Sequence, residues 1–555
     1  MPRVPCAAGS PGRTRLRSSR LLLWLLALAP VICACSARDL WAPDEPRYGQ
    51  VAREMLTNGE WLVPHVNGAP YAEKPPLYYW GAAALSVPVG RVTAITARLA
   101  AALYALGCVF LLVRLARVWF DDRELGITAA ALFVTTLLIG WNGSRAGLDL
   151  PLTFWILLAV ERGYAFLTTG RALPAVVCGL AWCAAILVKG PLGFLFPPLA
   201  LLAMAIASRR APRVTNVGWW LMLVALVLPG LLWLLPALEA GGDAYADRLL
   251  GQIRGRATGA EGHHLRPPWY FAIRGPAQAL PWTLLFIGGA WTTLRLRRAP
   301  QSDRAGLAAC AVLGVGCLVM LSCFATKREV YMIPLFPFFA LAAAYAMHRG
   351  TTPGWTIHGT RLATGLAAGV GLSLLLAAFA APIIERVLPD EHRVPAELMG
   401  WPAFAAYAPA GLLFLVGAWR AFRVHREPLR VIRTLVPWML IGFSWLLLAL
   451  LPRIDEFKTY GKAARIAEEQ AGDGPVYNIG FGQAANLLWS LDRETTEELY
   501  DVATLRARLA ASRSSVVAGA KWWDRARAAD PEATADLREV WRNRRGKLVV
   551  LELLP

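Results

Sequence analysis

Between residues 20 and 451 the chain is cut into about thirteen apolar runs, several shorter than the ~20 residues a straight bilayer crossing needs. With 56% hydrophobic and only 17% charged residues, successive apolar helices rather than one globular core dominate its folding. The reading is an all-α polytopic membrane domain over residues 1–451, followed by a small soluble α/β domain over 452–555.

The net charge of +19 does not point to nucleic acid, because the arginines fall in short clusters between apolar runs, as in cytoplasmic loops. With the N-terminus cytoplasmic, alternation puts Arg114, Arg117 and Arg123, then Arg209, Arg210 and Arg213, then Arg295, Arg297 and Arg298, then Arg420, Arg423, Arg426 and Arg430 inside. The same alternation sends outside a first loop (37–94), the turn Asn142 to Asp149, a second large loop (239–276), the turn Thr326 to Glu329, and everything after Pro452. Every chemically suggestive segment then lies on one face of the membrane. Arg13, Arg15, Arg17 and Arg20 ahead of the run Leu21 to Cys35 resemble a signal peptide. A retained first span is preferred, because it anchors the first loop and orients the spans that follow. All nine cysteines precede residue 324, so disulfides are not expected in the outer domain.

In the first loop, Tyr48, Val51, Ala52, Met55 and Leu56 recur at helical spacing, with Gln50, Arg53 and Glu54 facing the other way and Gly59 able to end the helix. The expectation is an interfacial helix on the membrane surface, with a second interfacial stretch over Leu77 to Val89. In the tail, a polar helix near Lys458 to Gln470 and strands near Val476 to Ile479, Ser515 to Ala518 and Leu548 to Leu553 alternate with further helices. No Gly-rich phosphate loop follows these strands, so the tail is assigned an accessory role.

Asp44 and Asp149 each precede a helix beside a proline, where the simple reading is an N-cap. The functional reading gains from their common face and the cations around them. Lys74, between Glu73 and two prolines, is either a snorkelling interfacial lysine or, with Arg47 and Arg53, part of a lipid-phosphate site. Lys327, Arg328, Glu329, Tyr331 and Lys189 are charges and rings at the outer ends of spans that either snorkel or contact ligand. The adjacent His263 and His264 read more readily as an ordinary polar loop than as metal ligands, since neighbouring side chains diverge in extended chain.

The run Asp44-Glu45-Pro46-Arg47-Tyr48, with Arg53-Glu54-Met55, Gly59 to Pro64, Asn67-Gly68 and Glu73-Lys74-Pro75-Pro76-Leu77-Tyr78-Tyr79-Trp80, resembles the first outer loop of bacterial C-type membrane glycosyltransferases. Among these, the lipid A aminoarabinose transferases and the protein O-mannosyltransferase-like group are the most similar. Shorter matches are Gly147 to Pro151, Lys189-Gly190-Pro191, Pro281-Trp282 and Pro452 to Asp455. The resemblance implies an undecaprenyl-phosphate-linked sugar donor, an acceptor outside the cytoplasm such as lipid A or another envelope glycolipid, inversion at the anomeric carbon, and no nucleic acid. It makes Asp44 and Asp149 the acidic pair and sets Arg47, Tyr48, Tyr71, Lys74, Lys327 and Tyr331 around the donor phosphate. It requires no cofactor, and it matches Glu73, His263 and His264 to positions where relatives hold a divalent metal. Gly49 stands where alanine is usual in these loops, and no consequence is expected.

In the implied reaction, cations stabilise charge building on the leaving phosphate. A hydroxyl acceptor needs a general base, whereas a lipid A phosphate is already ionised and needs only positioning. Transfer to protein hydroxyls is the alternative within the enzyme class. A secondary transporter is the alternative outside it, although it would place its ionisable groups near mid-membrane and show internal repeats, and neither is evident.

Overall fold

A computed structural model describes residues 11–258, 265–387, 400–480, 484–543 and 547–553. The described chain opens with α1 (Pro11–Ala34), α2 (Asp44–Asn58), a hairpin of β1 (His65–Val66) and β2 (Ala69–Pro70), and α3 (Leu77–Ser86). The bundle continues through α4 (Ala94–Phe120), α5 (Arg123–Val134), α6 (Leu137–Gly143), α7 (Asp149–Thr169), α8 (Ala172–Lys189), α9 (Pro191–Ser208) and α10 (Val217–Thr258). It is completed by α11 (Tyr270–Gln278), α12 (Thr283–Thr293), α13 (Arg304–Cys310), α14 (Cys317–Cys323), α15 (Phe336–His348), α16 (Ile357–Val387), α17 (Gly400–Arg423) and α18 (Pro428–Ala449).

Among the described residues, 10 helices are long and apolar enough to cross a membrane, or 11 if α5 and α6, bent by 77°, form one broken span. The chain is a multi-pass membrane protein, and among the described residues fewer helices reach that length and apolarity than the thirteen runs expected. The difference has a physical source: each apolar run is helical, but Leu21–Ala34 is a shorter apolar helix and α12 has only 11 residues. At 1.5 Å per residue, eleven residues reach about 17 Å, half of a hydrocarbon core. The second large loop is also shorter than expected, because α10 continues past residue 239 to Thr258, with a break at Gly242.

Local chemistry sets the helix ends. Thr93 and Thr96 cap each other's backbone at the start of α4, and Asp122 accepts from Leu125 N at 2.9 Å at the start of α5. Past the end of α1, the fully buried Arg98 donates to the carbonyls of Ala34, Ser36 and Arg38 at 3.1, 2.6 and 2.8 Å. That supplies donors which a helix C-terminus lacks within itself.

The tail holds α19 (Asp455–Lys458), α20 (Gly461–Ala471), α21 (Ala484–Leu491), α22 (Val502–Ala511) and α23 (Ala520–Ala529). With them are β3 (Val476–Ile479), β4 (Glu498–Leu499), β5 (Ser515–Gly519), β6 (Leu537–Arg542) and β7 (Leu548–Leu553). The strands form one sheet in the order β4-β3-β5-β7-β6, with β3 parallel to β4 and β5, and β7 antiparallel to β5 and β6. Alternate residues face opposite sides: Tyr477, Ile479, Val516 and Ala518 pack under α22 and α23, and Val476, Val517 and Val550 under α20 and α21.

This sheet domain covers α2. Trp489 of α21 donates to Asp39 at 2.7 Å and stacks under the Arg53 guanidinium, and Arg53 pairs with Asp492 at 3.0 Å. Gln50, Arg53 and Glu54, expected to face away from the membrane, are therefore buried. Glu54 accepts from Asn67 N and Gly68 N at 2.9 and 3.1 Å, holding the hairpin turn whose two central residues both have positive φ, the Asn-Gly turn chemistry. The Asn67 side chain accepts from Thr496 N at 2.8 Å, so helix, hairpin and tail are tied through one another. Gly49 is corrected here: a Cβ at that position would lie 2.5 Å from Leu40 Cδ1 and 2.8 Å from the Trp489 ring.

Candidate active site

Four chain segments meet at the N-terminal end of α2. Glu45 joins two of them: its carboxylate takes a bidentate contact from Arg38 at 2.8 and 3.0 Å, the backbone amides of Trp41 and Ala146 at 3.1 and 2.8 Å, and Arg145 at 3.4 Å. Burial works against the charge on Glu45, but Arg38 and Arg145 outweigh it and hold its carboxyl below the usual range. The contact to Ala146 fixes the turn leading to Asp149 against the helix that starts at Asp44. Glu45 was not among the expected site residues, because a carboxylate beside Asp44 in a polar loop carries no sign of which neighbour faces inward.

Asp44 and Asp149 are the first residues of α2 and α7, so the N-cap positions fall to Pro43 and Leu148 rather than to the two acids. Both carboxylates are turned to cations. Asp44 is gripped by Arg47 at 2.8 Å and by Arg328 at 2.5 Å from a different segment. Burial opposes its charge, yet Arg328, Arg47 and Arg145 together lower its pKa below the ordinary carboxylate value. Asp149 is paired with Lys189 at the end of α8, whose ammonium also sits 5.0 Å from the centroid of the Tyr331 ring. Tyr48 lies on the first turn of α2 between the two acids. Burial and then Asp44 push its phenol far above the usual range, with Asp149 adding to the shift, so Tyr48 stays protonated and can only donate to an anion.

Arg47 reaches Glu73 with its other terminal nitrogen at 3.0 Å, and Tyr71 donates to the same Glu73 oxygen at 3.2 Å. The buried Nε of Arg47 has no acceptor among the described residues. Tyr48, Tyr71, Tyr78 and Tyr79 pack edge to face or tilted, with centroids 5.8 to 6.2 Å apart, walling this corner with rings. Lys74 is buried, with its ammonium 2.9 Å from the carbonyl of Glu73.

The expected residues thus divide. Asp44, Arg47, Tyr48, Tyr71 and Glu73 form one cluster, joined through Tyr48 and Arg328 to the Asp149, Lys189 and Tyr331 group. Lys327 does not join it: its ammonium donates to the carbonyls of Arg266 and Phe324, and the next residue, Arg328, supplies the cation to Asp44. His263 and His264 lie outside the described residues. Among the described residues no group of three or more His, Cys, Asp or Glu is placed to hold a metal ion, and Glu73 is engaged by Arg47 and Tyr71.

The dolichyl-phosphate-mannose-protein mannosyltransferase family matches residues 19–238. The undecaprenyl phosphate-alpha-4-amino-4-deoxy-L-arabinose arabinosyl transferase of Pseudomonas aeruginosa strain UCBPP-PA14 is 29% identical over 510 residues, covering 87% of this chain and 86% of the relative. The enzyme of the same name from Erwinia tasmaniensis is 28% identical over 404 residues, 70% of each. A crystal structure of ArnT from Cupriavidus metallidurans bound to undecaprenyl phosphate superposes with a TM-score of 0.71 over 98% of both chains at 20% identity. The chain has the fold of the membrane glycosyltransferases of the C type. The archaeal oligosaccharyltransferase AglB from Archaeoglobus fulgidus, at a TM-score of 0.50 and 12% identity over 91% of this chain and 70% of that one, shares the same fold at greater distance. The membrane bundle carrying a small C-terminal sheet is thus the expected architecture.

Proposed function

We propose that this glycosyltransferase moves a sugar, with inversion, from undecaprenyl phosphate to lipid A or a related envelope glycolipid at the periplasmic face of the inner membrane. One observation carries the reading: Asp44 is held ionised between Arg47 and Arg328 at the same end of the bundle where Lys189 holds Asp149. A donor carried in the lipid delivers its phosphate to that end, where Arg47, Arg328, Tyr48 and Tyr71 are donors already in place. The orphan Nε of Arg47 gains an acceptor when a phosphate oxygen arrives, and charge building on the leaving oxygen meets cations that need no reorganisation. In this reading Lys74 and Lys327 hold the backbone of the loops around the phosphate, Lys189 with Tyr331 orients Asp149, and no step passes through a metal.

The low proton affinity of Asp44 bears on the acceptor. A carboxylate with a depressed pKa is a weak general base, suited to aligning cations and acceptor rather than to taking a proton from a hydroxyl. An acceptor phosphate, already ionised, asks for no more than that. The donor named for the Pseudomonas and Erwinia relatives, 4-amino-4-deoxy-L-arabinose on undecaprenyl phosphate, is therefore the first to supply. A second reading, transfer to protein hydroxyls, is favoured by the protein mannosyltransferase family match. Mass spectrometry of lipid A and of envelope glycopeptides from cells with and without the gene separates the two. A sugar-sized mass lost from lipid A supports the first; unchanged lipid A with lost glycopeptides replaces it with the second.

A further inference from the structure

At the end of the bundle away from Asp44, α16 and α17 enclose a groove that the transfer reaction does not use. The two helices cross at Gly371 and Gly411, where a Cβ on either would meet the other's carbonyl oxygen at 2.8 or 2.9 Å. Close crossing of small residues is a usual way for membrane helices to pack. On the Arg361 side of that crossing lies a cavity of about 670 Å³, walled by Gly365, Ala368, Leu415, Ala418 and Trp419. Its end of the bundle follows from α18, which starts at Pro428 beside this groove and finishes near Asp455, and Asp455 accepts from Asp39 N and Trp41 Nε1 next to the Asp44 site. A 22-residue helix separates the two places by about 30 Å.

The walls of the groove are apolar in effect, since the hydroxyls of Thr360 and Thr364 donate to backbone carbonyls one turn back. Trp419 and Phe422 stand 52% and 66% exposed at its edge, as rings do at a membrane interface. The mouth is cationic. Arg361 makes no ion pair or side-chain hydrogen bond with any described residue, and His425, whose Nδ1 lies 2.8 Å from Phe422 O, keeps its Nε2 for another partner. Among the described residues no acidic side chain lines the cavity. The nearby Arg420 and Arg423 already lie over Trp438 and Trp419. Loop arginines that only set topology need no cavity behind them, so an apolar channel under a lone guanidinium points to a ligand with a chain and an anionic head.

We propose that an acidic phospholipid of the leaflet away from the active site occupies this groove, one acyl chain against Gly365 and Trp419 and its phosphate on Arg361 and His425. The test uses full-length protein in detergent, titrated with phosphatidylglycerol and separately with phosphatidylcholine, with bound lipid counted by native mass spectrometry. Wild type holds one phosphatidylglycerol more tightly than any phosphatidylcholine. Arg361→Gln weakens that lipid about tenfold, the scale of one charge-assisted hydrogen bond, and Arg361→Lys retains most of it. Gly365→Trp, where a Cβ meets nothing within 4 Å, fills the groove and loses the lipid without lowering the unfolding temperature. A photoreactive phosphatidylglycerol labels peptides 357–368 and 415–425, and soluble glycerol phosphate does not displace it. Equal binding of the two lipids, full binding by both Arg361→Gln and Gly365→Trp, labelling elsewhere, or displacement by glycerol phosphate overturns the assignment.

Discussion

Replacing Glu45 with glutamine tests how the two acids are kept in register. The carboxylate and Arg38 are each about 1% exposed in their side chains and share two contacts of 2.8 and 3.0 Å. Removing one charge from such a pair leaves the other buried without a counter-ion, which costs about 3 to 5 kcal/mol. The amide of glutamine still has one oxygen for Ala146 N or Trp41 N, and Arg38 keeps the carbonyls of Asp39 and Ser144 at 2.9 Å. The expected loss is therefore at the lower end, about 3 kcal/mol. Denaturant unfolding of the detergent-solubilised protein reads that term. Because the contact to Ala146 also holds the turn before Asp149, transfer should fall by about 10²-fold, the effect of a shift near 1 Å in a reacting geometry. Replacing Arg38 with methionine and Glu45 with leucine together should restore most of the stability, since paired apolar replacement of a buried ion pair is often neutral, while transfer stays low. A loss under about 1 kcal/mol with unchanged turnover in Glu45→Gln would refute the reasoning.

Gly49→Ala is expected to destabilise by about 1 to 3 kcal/mol, the usual cost of overpacking, because its Cβ meets Leu40 and Trp489; an unfolding midpoint equal to wild type counts against the packing of the tail on α2. The depressed pKa of Asp44 has a definite sign. Its ion pairs contribute fully above the unfolded value of about 3.9 and are lost as pH falls through the lower folded value. Stability should therefore show no Asp44-dependent change between about pH 5 and 8, and a loss centred near pH 6 that Asp44→Asn removes would contradict it. Chelation of divalent metal should leave turnover unchanged, since Glu73 is engaged by Arg47 and Tyr71; loss of activity with EDTA and recovery on adding one metal would place a metal in the site.

Much of this arrangement was readable in the residues because spacing carried it. Asp44, Arg47 and Tyr48 sit within one turn of helix, so they were bound to share a neighbourhood, and Asn67-Gly68 leaves the backbone few turns to choose from. The alternation of arginine clusters placed Asp149, Lys189 and Arg328 at one end of the bundle. β3, β5 and β7 were found because each is a continuous apolar strand, whereas two-residue β4 and the partly exposed, charged β6 carry too little pattern. The choice between Lys327 and Arg328 was hidden, since adjacent residues on irregular chain point apart and only the fold decides which one faces Asp44. The burial of Gln50, Arg53 and Glu54 was hidden for another reason: the partner that covers them, Trp489 with Asp492, lies more than four hundred positions away in sequence. The consequence at Gly49 comes from that same distant contact. The count of apolar runs and the count of spanning-length helices differ where run length and helix length part company, at Leu21–Ala34, at α12 and at the bend between α5 and α6.

The most direct test takes purified wild type and Asp44→Asn at matched unfolding temperature, supplies undecaprenyl phosphate carrying 4-amino-4-deoxy-L-arabinose together with lipid A, and follows the product by mass spectrometry. Wild type should add the sugar to lipid A and Asp44→Asn should add none. Equal turnover by the two proteins would contradict the account.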